Sequence, residues 1–158
     1  MIWMVEQASQ QKNWYKTFHN MLNNINYDLD CNYHAKVIKY DKTHHTADIQ
    51  PLNNFSDGSK KAQILDVPVS KCCYEFDEWL AAVKGDFGKV DGYADDKGIQ
   101  IASSFVSKIP TPIMHVGAVV VVTVMDHDMD DWDGTAKEYT PSSGRQHDIN
   151  DSIIVGVI

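Results

Sequence analysis

The chain has 158 residues and 43% hydrophobic content, enough for one well-buried core and too short for two typical domains. Its 22 acidic residues against 14 basic ones leave a formal charge of −8. That balance repels phosphate backbones unless cations cluster on one face, and the sequence holds no such cluster, so nucleic acid is not the expected partner.

The first residues, Met1 to Glu6, have neither a basic start nor a long apolar run, so no secretory signal is expected and the mature chain is expected to begin near Met1. From Met4 to about Asn26 the residues Met4, Ala8, Gln11, Trp14, Phe18, Met21, Leu22 and Ile25 fall at helical three- and four-residue steps. Gln7, Gln10, Lys12, Lys16, Asn20 and Asn23 line the opposite side. The helix is amphipathic, and its apolar face (Trp14, Phe18, Met21, Leu22, Ile25) either packs on its own domain or serves as a subunit interface. Asn26, Asp28 and Asp30 then form a polar exit.

From His34 the pattern becomes that of strands. His34 to Tyr40 and Thr46 to Leu52 are rich in β-formers and flank the polar stretch Asp41 to His45, which reads as a hairpin. Ala35 and Val37 are expected to point one way, with Ile38 and Tyr40 the other, as on a curved barrel strand. A short strand at Leu65 to Ser70 follows. Phe76 to Val83 reads as one or two helical turns, and Gly85 to Gly98, with four glycines and four aspartates, reads as a surface loop. A strand is expected over Gly98 to Val106, then a proline-fixed approach from Ile109 to the strongest strand, Ala118 to Met125. Its continuous β-branched residues imply burial on both faces. The apolar stretch Val116 to Met125 is about ten residues, where a membrane span needs roughly 20, so no stable membrane insertion is expected. A last strand runs from Ser152 to Ile158. The predicted fold class is all-β, a small barrel with an N-terminal amphipathic α-helix. Residues 1–30 form the helical segment and 31–158 the barrel domain, with a loop insertion at about 73–98.

Catalytic and metal patterns are weak. Cys31, Cys72 and Cys73 are an odd count with no CxxC or CxxH spacing, so they are expected to be packing residues of a chain made in a reducing cytoplasm. The acidic run Asp126, His127, Asp128, Asp130, Asp131, Asp133 is the best cation candidate, yet it lacks the glycine and glutamate that an EF-hand loop requires. A solvated acidic turn is the simpler reading. None of the seven histidines forms HExxH or HxH. Ser103, Ser104, Ser142 or Ser143 with His147 and Asp148 lacks a GxSxG elbow. No cofactor, metal or enzymatic activity is expected.

Taken in order, Val37 to Asp41 with Thr46 to Leu52, the short Asp66 to Val69, the Gly117 to Val124 strand running into Asp126 to Trp132, and Arg145 to Ile154 resemble the N-terminal OB-fold domain of phage baseplate central spike proteins. The resemblance covers roughly His34 to Ile158. It implies an OB-fold-like barrel in a homotrimer at the tip of the tail tube, in contact with tail hub and tail tube proteins, with a part in host envelope penetration. It also implies that Trp132, Arg145, His147, Asp148 and Asp151 fix barrel loops. The expected location is the virion tail baseplate, assembled in the bacterial host cytoplasm. Because the sequence ends at Ile158, directly after the last strand, a separate needle or tip protein is expected, and the role is that of a plug, hub cap or adaptor. An OB-fold single-stranded nucleic-acid-binding protein is the alternative, with the net charge against it.

Overall fold

The computed structural model describes residues 13–25, 29, 31–55, 57–99 and 104–158. The first part of the expected N-terminal helix, its polar exit, and the centre of the strand expected over Gly98 to Val106 lie outside the described residues. Residues 13–25 are helical (α1). Five strands follow: β1 (Asn32–Asp41), β2 (Thr46–Pro51), β3 (Ile64–Pro68), β4 (Val119–Val124) and β5 (Ser152–Val157), with a long helix, α2 (Glu75–Asp96), between β3 and β4.

The strands form one antiparallel sheet in the order β3-β2-β1-β4-β5. β1 is central because its inward residues Tyr33, Ala35 and Val37 alternate with exposed ones and both its edges find partners. Three irregularities bend the sheet, as bulges do. The pairing of β1 with β2 shifts between Val37 and Lys39, that of β2 with β3 between Ala47 and Ile49, and that of β4 with β5 between Val121 and Val122. The sheet curls until Val69, just after β3, bridges Ile154 of β5 in parallel, and the Ser70 amide donates to the Ile154 carbonyl at 2.9 Å. The inward residues Val37, Ile49, Val67, Val120, Val122 and Ile154 fill the interior of this barrel-like sheet.

Several expectations are corrected. The bulge at Ile38 turns Tyr40 to the same side as Val37: Val37 pairs with Ile49 and Tyr40 with Ala47, so Tyr40 packs against the core instead of facing away. β4 is buried on one face only. Val120, Val122 and Val124 are inside, whereas Val119, Val121 and Thr123 are half-buried, and Val116 before the strand is 61% exposed. Of the three cysteines only Cys73 packs in the core, where burial pushes its thiol up to about 12; Cys31 and Cys72 are exposed.

The largest difference lies at 73–98, expected as a loop insertion. α2 runs unbroken through Gly85, Gly88 and Gly92 for 22 residues, so the fold is strand-rich but mixed. Each interior glycine costs a helix about 1 kcal/mol relative to alanine, and tertiary contacts offset that cost. Asp77 and Asp91, 14 positions or about four turns apart and so on one side of the helix, both accept hydrogen bonds from the segment returning to β4. Asp77 takes the amides of Ile113 (2.8 Å) and Met114 (3.3 Å). Asp91 takes those of Phe105 (2.8 Å) and Val106 (3.1 Å). Gly88 lies beneath Val106, and Phe87 stacks on Phe105. Gly98, at φ +64°, ends the helix in the left-handed conformation that a C-terminal cap requires. Around the expected strand, residues 104–108 form a turn and a short 3-10 helix, Val106–Lys108.

Ile49 is fully buried. Ile49→Ala is expected to cost about 3 kcal/mol, read as a lower urea midpoint at unchanged slope. An unaltered midpoint would mean that this face is not the core.

Candidate functional site

β4 and β5 are joined by the long segment 125–151, and its geometry is organised by one side chain. Arg145 is the sole arginine of the chain. Its Nε donates to Asp151 Oδ2 at 2.8 Å and its Nη2 to Asp151 Oδ1 at 2.7 Å, a two-pronged contact that lysine cannot make. The same Nη2 lies 3.2 Å from Asp128 Oδ1 and 3.3 Å from Asp130 Oδ2, and Nε lies 4.0 Å from Asp148 Oδ2.

Asp128 and Asp151, each 1% exposed, are the buried carboxylates among the described residues. Buried carboxylates need full hydrogen bonding, and both have it. Asp128 accepts from the hydroxyls of Ser143 and Ser142 and from the Asp130 amide. Asp151 accepts from the Met129 amide at 3.1 Å in addition to Arg145. The Ser143 hydroxyl, then the Asp130 amide and Arg145, hold the Asp128 carboxyl below its ordinary value; Arg145 does the same for Asp151. The Asp151 carboxylate in turn raises the guanidinium further. The main chain completes the clamp, with the Met125 amide donating to the Asp151 carbonyl at 2.7 Å and the Asp151 amide to the Asp148 carbonyl at 2.9 Å.

Of the residues expected to fix barrel loops, Arg145, Asp148 and Asp151 come together. Arg145 and Asp151 form the clamp, and Asp148 also accepts from the amide of Asn150 in its own turn. His147 Nε2 lies 3.0 Å from Asp126 Oδ1, tying the two ends of the segment to each other. Trp132 sits further out, its indole Nε1 donating to the Thr135 carbonyl at 2.9 Å. Asp128 belongs with them: the acidic run was expected as a solvated turn, but this carboxylate is buried. A lone arginine close to the end of a lysine-rich, acidic chain is the signal that points to a carboxylate partner.

Asp128, Asp130 and Asp151 do bring one oxygen each within 4.8 Å of one another, as metal ligands would. The Arg145 guanidinium already lies within 3.3 Å of all three and accounts for their convergence. The serine–histidine arrangement does not assemble, since Ser143 is spent on Asp128 and His147 on Asp126. At the foot of α2, a cleft of about 130 Å³ is lined by Tyr40, Lys42, Tyr74, Asp77, Glu78 and Met114, smaller than sites that enclose organic ligands. His45 stacks flat on Tyr74 beside it, ring centres 3.8 Å apart, fastening the β1–β2 turn to α2. In that turn Asp41 caps the amides of Thr43 and His44, and its bond to the His44 ring helps bring its carboxyl down to about 2.

The expected interface residues of α1 lie in solvent: Trp14 is 71% exposed, Met21 51% and Ile25 50%. Phe18 and Leu22 are each 42% exposed, and the Trp14 and Phe18 rings stack on each other at 5.5 Å. No helix among the described residues is long and apolar enough to cross a membrane.

A scan against known protein families finds none that matches the sequence, and a search of curated proteins finds no match either.

Asp151→Asn is expected to lower stability at pH 7 by about 3 kcal/mol, because it weakens a buried pair from one side. The carboxyls of Asp128 and Asp151 titrate below the ordinary 3.8 in the folded protein. Their contribution is therefore complete above that value and is lost as pH falls through their lowered folded-state values. Chemical unfolding between pH 6 and 2 should show stability falling steeply at the acid end, with a shallower fall in Asp151→Asn. Parallel profiles would remove the clamp from the acid response.

Proposed function

We propose that this chain is a non-enzymatic structural subunit of a phage tail baseplate, an OB-fold barrel that acts as a homotrimeric spike or hub cap at the end of the tail tube. The observation that carries this reading is the connectivity of the barrel. Strand order β3-β2-β1-β4-β5, a parallel bridge from the end of β3 to β5, and a helix between β3 and β4 match a five-stranded, partly open Greek-key barrel of OB type. The stretches that resemble the spike family, 126–132 and 145–154, meet in the Arg145 clamp, a loop-fixing arrangement. The exposed apolar row on α1 favours a subunit that is buried by association.

On this reading the chain's partners are its own copies and the tail hub and tube proteins. The nucleic-acid alternative is weakened by charge. In an OB barrel the loops joining strands 1–2 and 4–5 flank the oligonucleotide face. Here the second of these exposes Asp126, Asp130, Asp131 and Asp133, which repel phosphates.

Light scattering of the purified protein at two concentrations, with reductant, tests the proposal. A mass three times the 17.8 kDa chain is expected, with no retention on immobilised single-stranded oligonucleotide. A clean monomer that binds oligonucleotide and releases it with salt would overturn the reading in favour of the alternative.

A further inference from the structure

α2 stands away from the barrel as an arm. Its 22 residues extend about 33 Å, and the segment 104–114 returning along it covers one side through Asp77, Phe87, Gly88 and Asp91. The flank beside that covered side carries a row at alternating three- and four-residue steps: Phe76, Trp79, Val83, Asp86, Val90 and Tyr93, of which Val83 is half-buried. That is the spacing of a helix–helix seam, broken by one polar position. Phe76 is 59% exposed, Trp79 56%, Val90 50% and Tyr93 61%. Such a row in solvent marks an interaction surface.

We propose that this row receives α1 of a neighbouring copy of the same chain. The claim rests on the reading of the chain as a self-associating subunit and adds which surfaces meet. α1 carries a complementary row, Trp14, Phe18, Met21 and Ile25, at steps of four, three and four. The chain's own α1 does not cover the arm, since every residue from 13 to 25 is exposed. Lengths agree: residues 13–25 span about 20 Å and the row from Phe76 to Tyr93 about 26 Å.

Charge selects the partner. α2 holds seven carboxylates (Glu75, Asp77, Glu78, Asp86, Asp91, Asp95, Asp96) against two lysines, Lys84 and Lys89. Two arms laid together would repel each other. Residues 13–25 include Lys16 and no carboxylate, so α1 is the complementary helix. A contact from α1 of one copy to α2 of the next is head-to-tail, and a threefold rotation closes it into a ring.

Two variants of the full chain decide the matter, Phe18→Glu with Met21→Glu on α1, and Trp79→Glu with Val90→Glu on α2. The four substituted residues are exposed in the single chain, so each variant should keep the wild-type circular dichroism spectrum, while its melting temperature falls by what association contributes and no longer depends on protein concentration. Any variant whose spectrum changes is replaced by the milder Phe18→Ser or Trp79→Ser. Each variant alone is expected to drop threefold in mass, to a single chain. Mixed one to one, they are expected to form a two-chain complex, because each brings one intact half of the contact. A mixture that stays monomeric overturns the proposal, since the intact α1 of one variant would then not recognise the intact α2 of the other. An α2 variant that remains trimeric while the α1 variant falls apart also overturns it, yet leaves the trimer intact. An α1 variant that keeps the wild-type mass rejects α1 as the contact altogether, and a wild-type monomer rejects the parent reading with it.

Discussion

Between Val124 and Ser152 the chain leaves the sheet and must come back beside β4 to place its final strand. Of that largely polar segment, Ile149 packs against the core, and the rest of the return is held by charge: Arg145 lies across Asp128 and Asp151, both buried, and draws in Asp130. A buried carboxylate without a cation and hydrogen-bond donors is costly, so the segment is stable only when all its members are in place. β5 starts at Ser152, directly after Asp151, and β5 supplies Ile154 to the bridge that brings the sheet round to β3. Closure of the barrel therefore depends on the clamp. The Tyr33 hydroxyl, bonded to Ser152 at 2.9 Å, secures the same point from inside.

The rest of the barrel is shaped by where the strands fall out of register. Each of the three shifts turns a side chain that strict alternation would have sent elsewhere, and together they convert a flat five-stranded sheet into a curled one. Within that frame α2 is an excursion that leaves the sheet pairing undisturbed. It departs after Val69 and Ser70 have bonded to β5 and returns before Ala118 reaches β1. Its foot is fastened by His45 on Tyr74 and by Asp77, so a long acidic helix is presented from a rigid base. On the proposed reading the barrel is the platform, and the two helices, apolar on their free sides, are the means of assembly.

The strands were legible because their signals are local. β1, β2, β4 and β5 fall where alternation and β-branched runs placed them, and the Asp41 to His45 hairpin follows from its polar residues. α2 was not legible beyond its first turns. Glycine and aspartate are turn residues when counted in a window, and only the returning segment reveals that Asp77 and Asp91 are acceptors for amides far along the chain. Asp128 was misread for a similar reason. In sequence it is one of five aspartates in an eight-residue run; in space it is inside, with Arg145 above it.

What the sequence by itself determined is the strand-rich class, the amphipathic face of α1 and the net negative charge, because these depend on periodicity and on summed charge. Tertiary structure alone decided that Tyr40 faces the core, that the glycine-rich stretch is helical, and that the acidic loop is a clamp around one arginine. Each of these turns on a partner 14 or more residues away, or on a bulge that shifts alternation by one position. A local pattern carries no record of either.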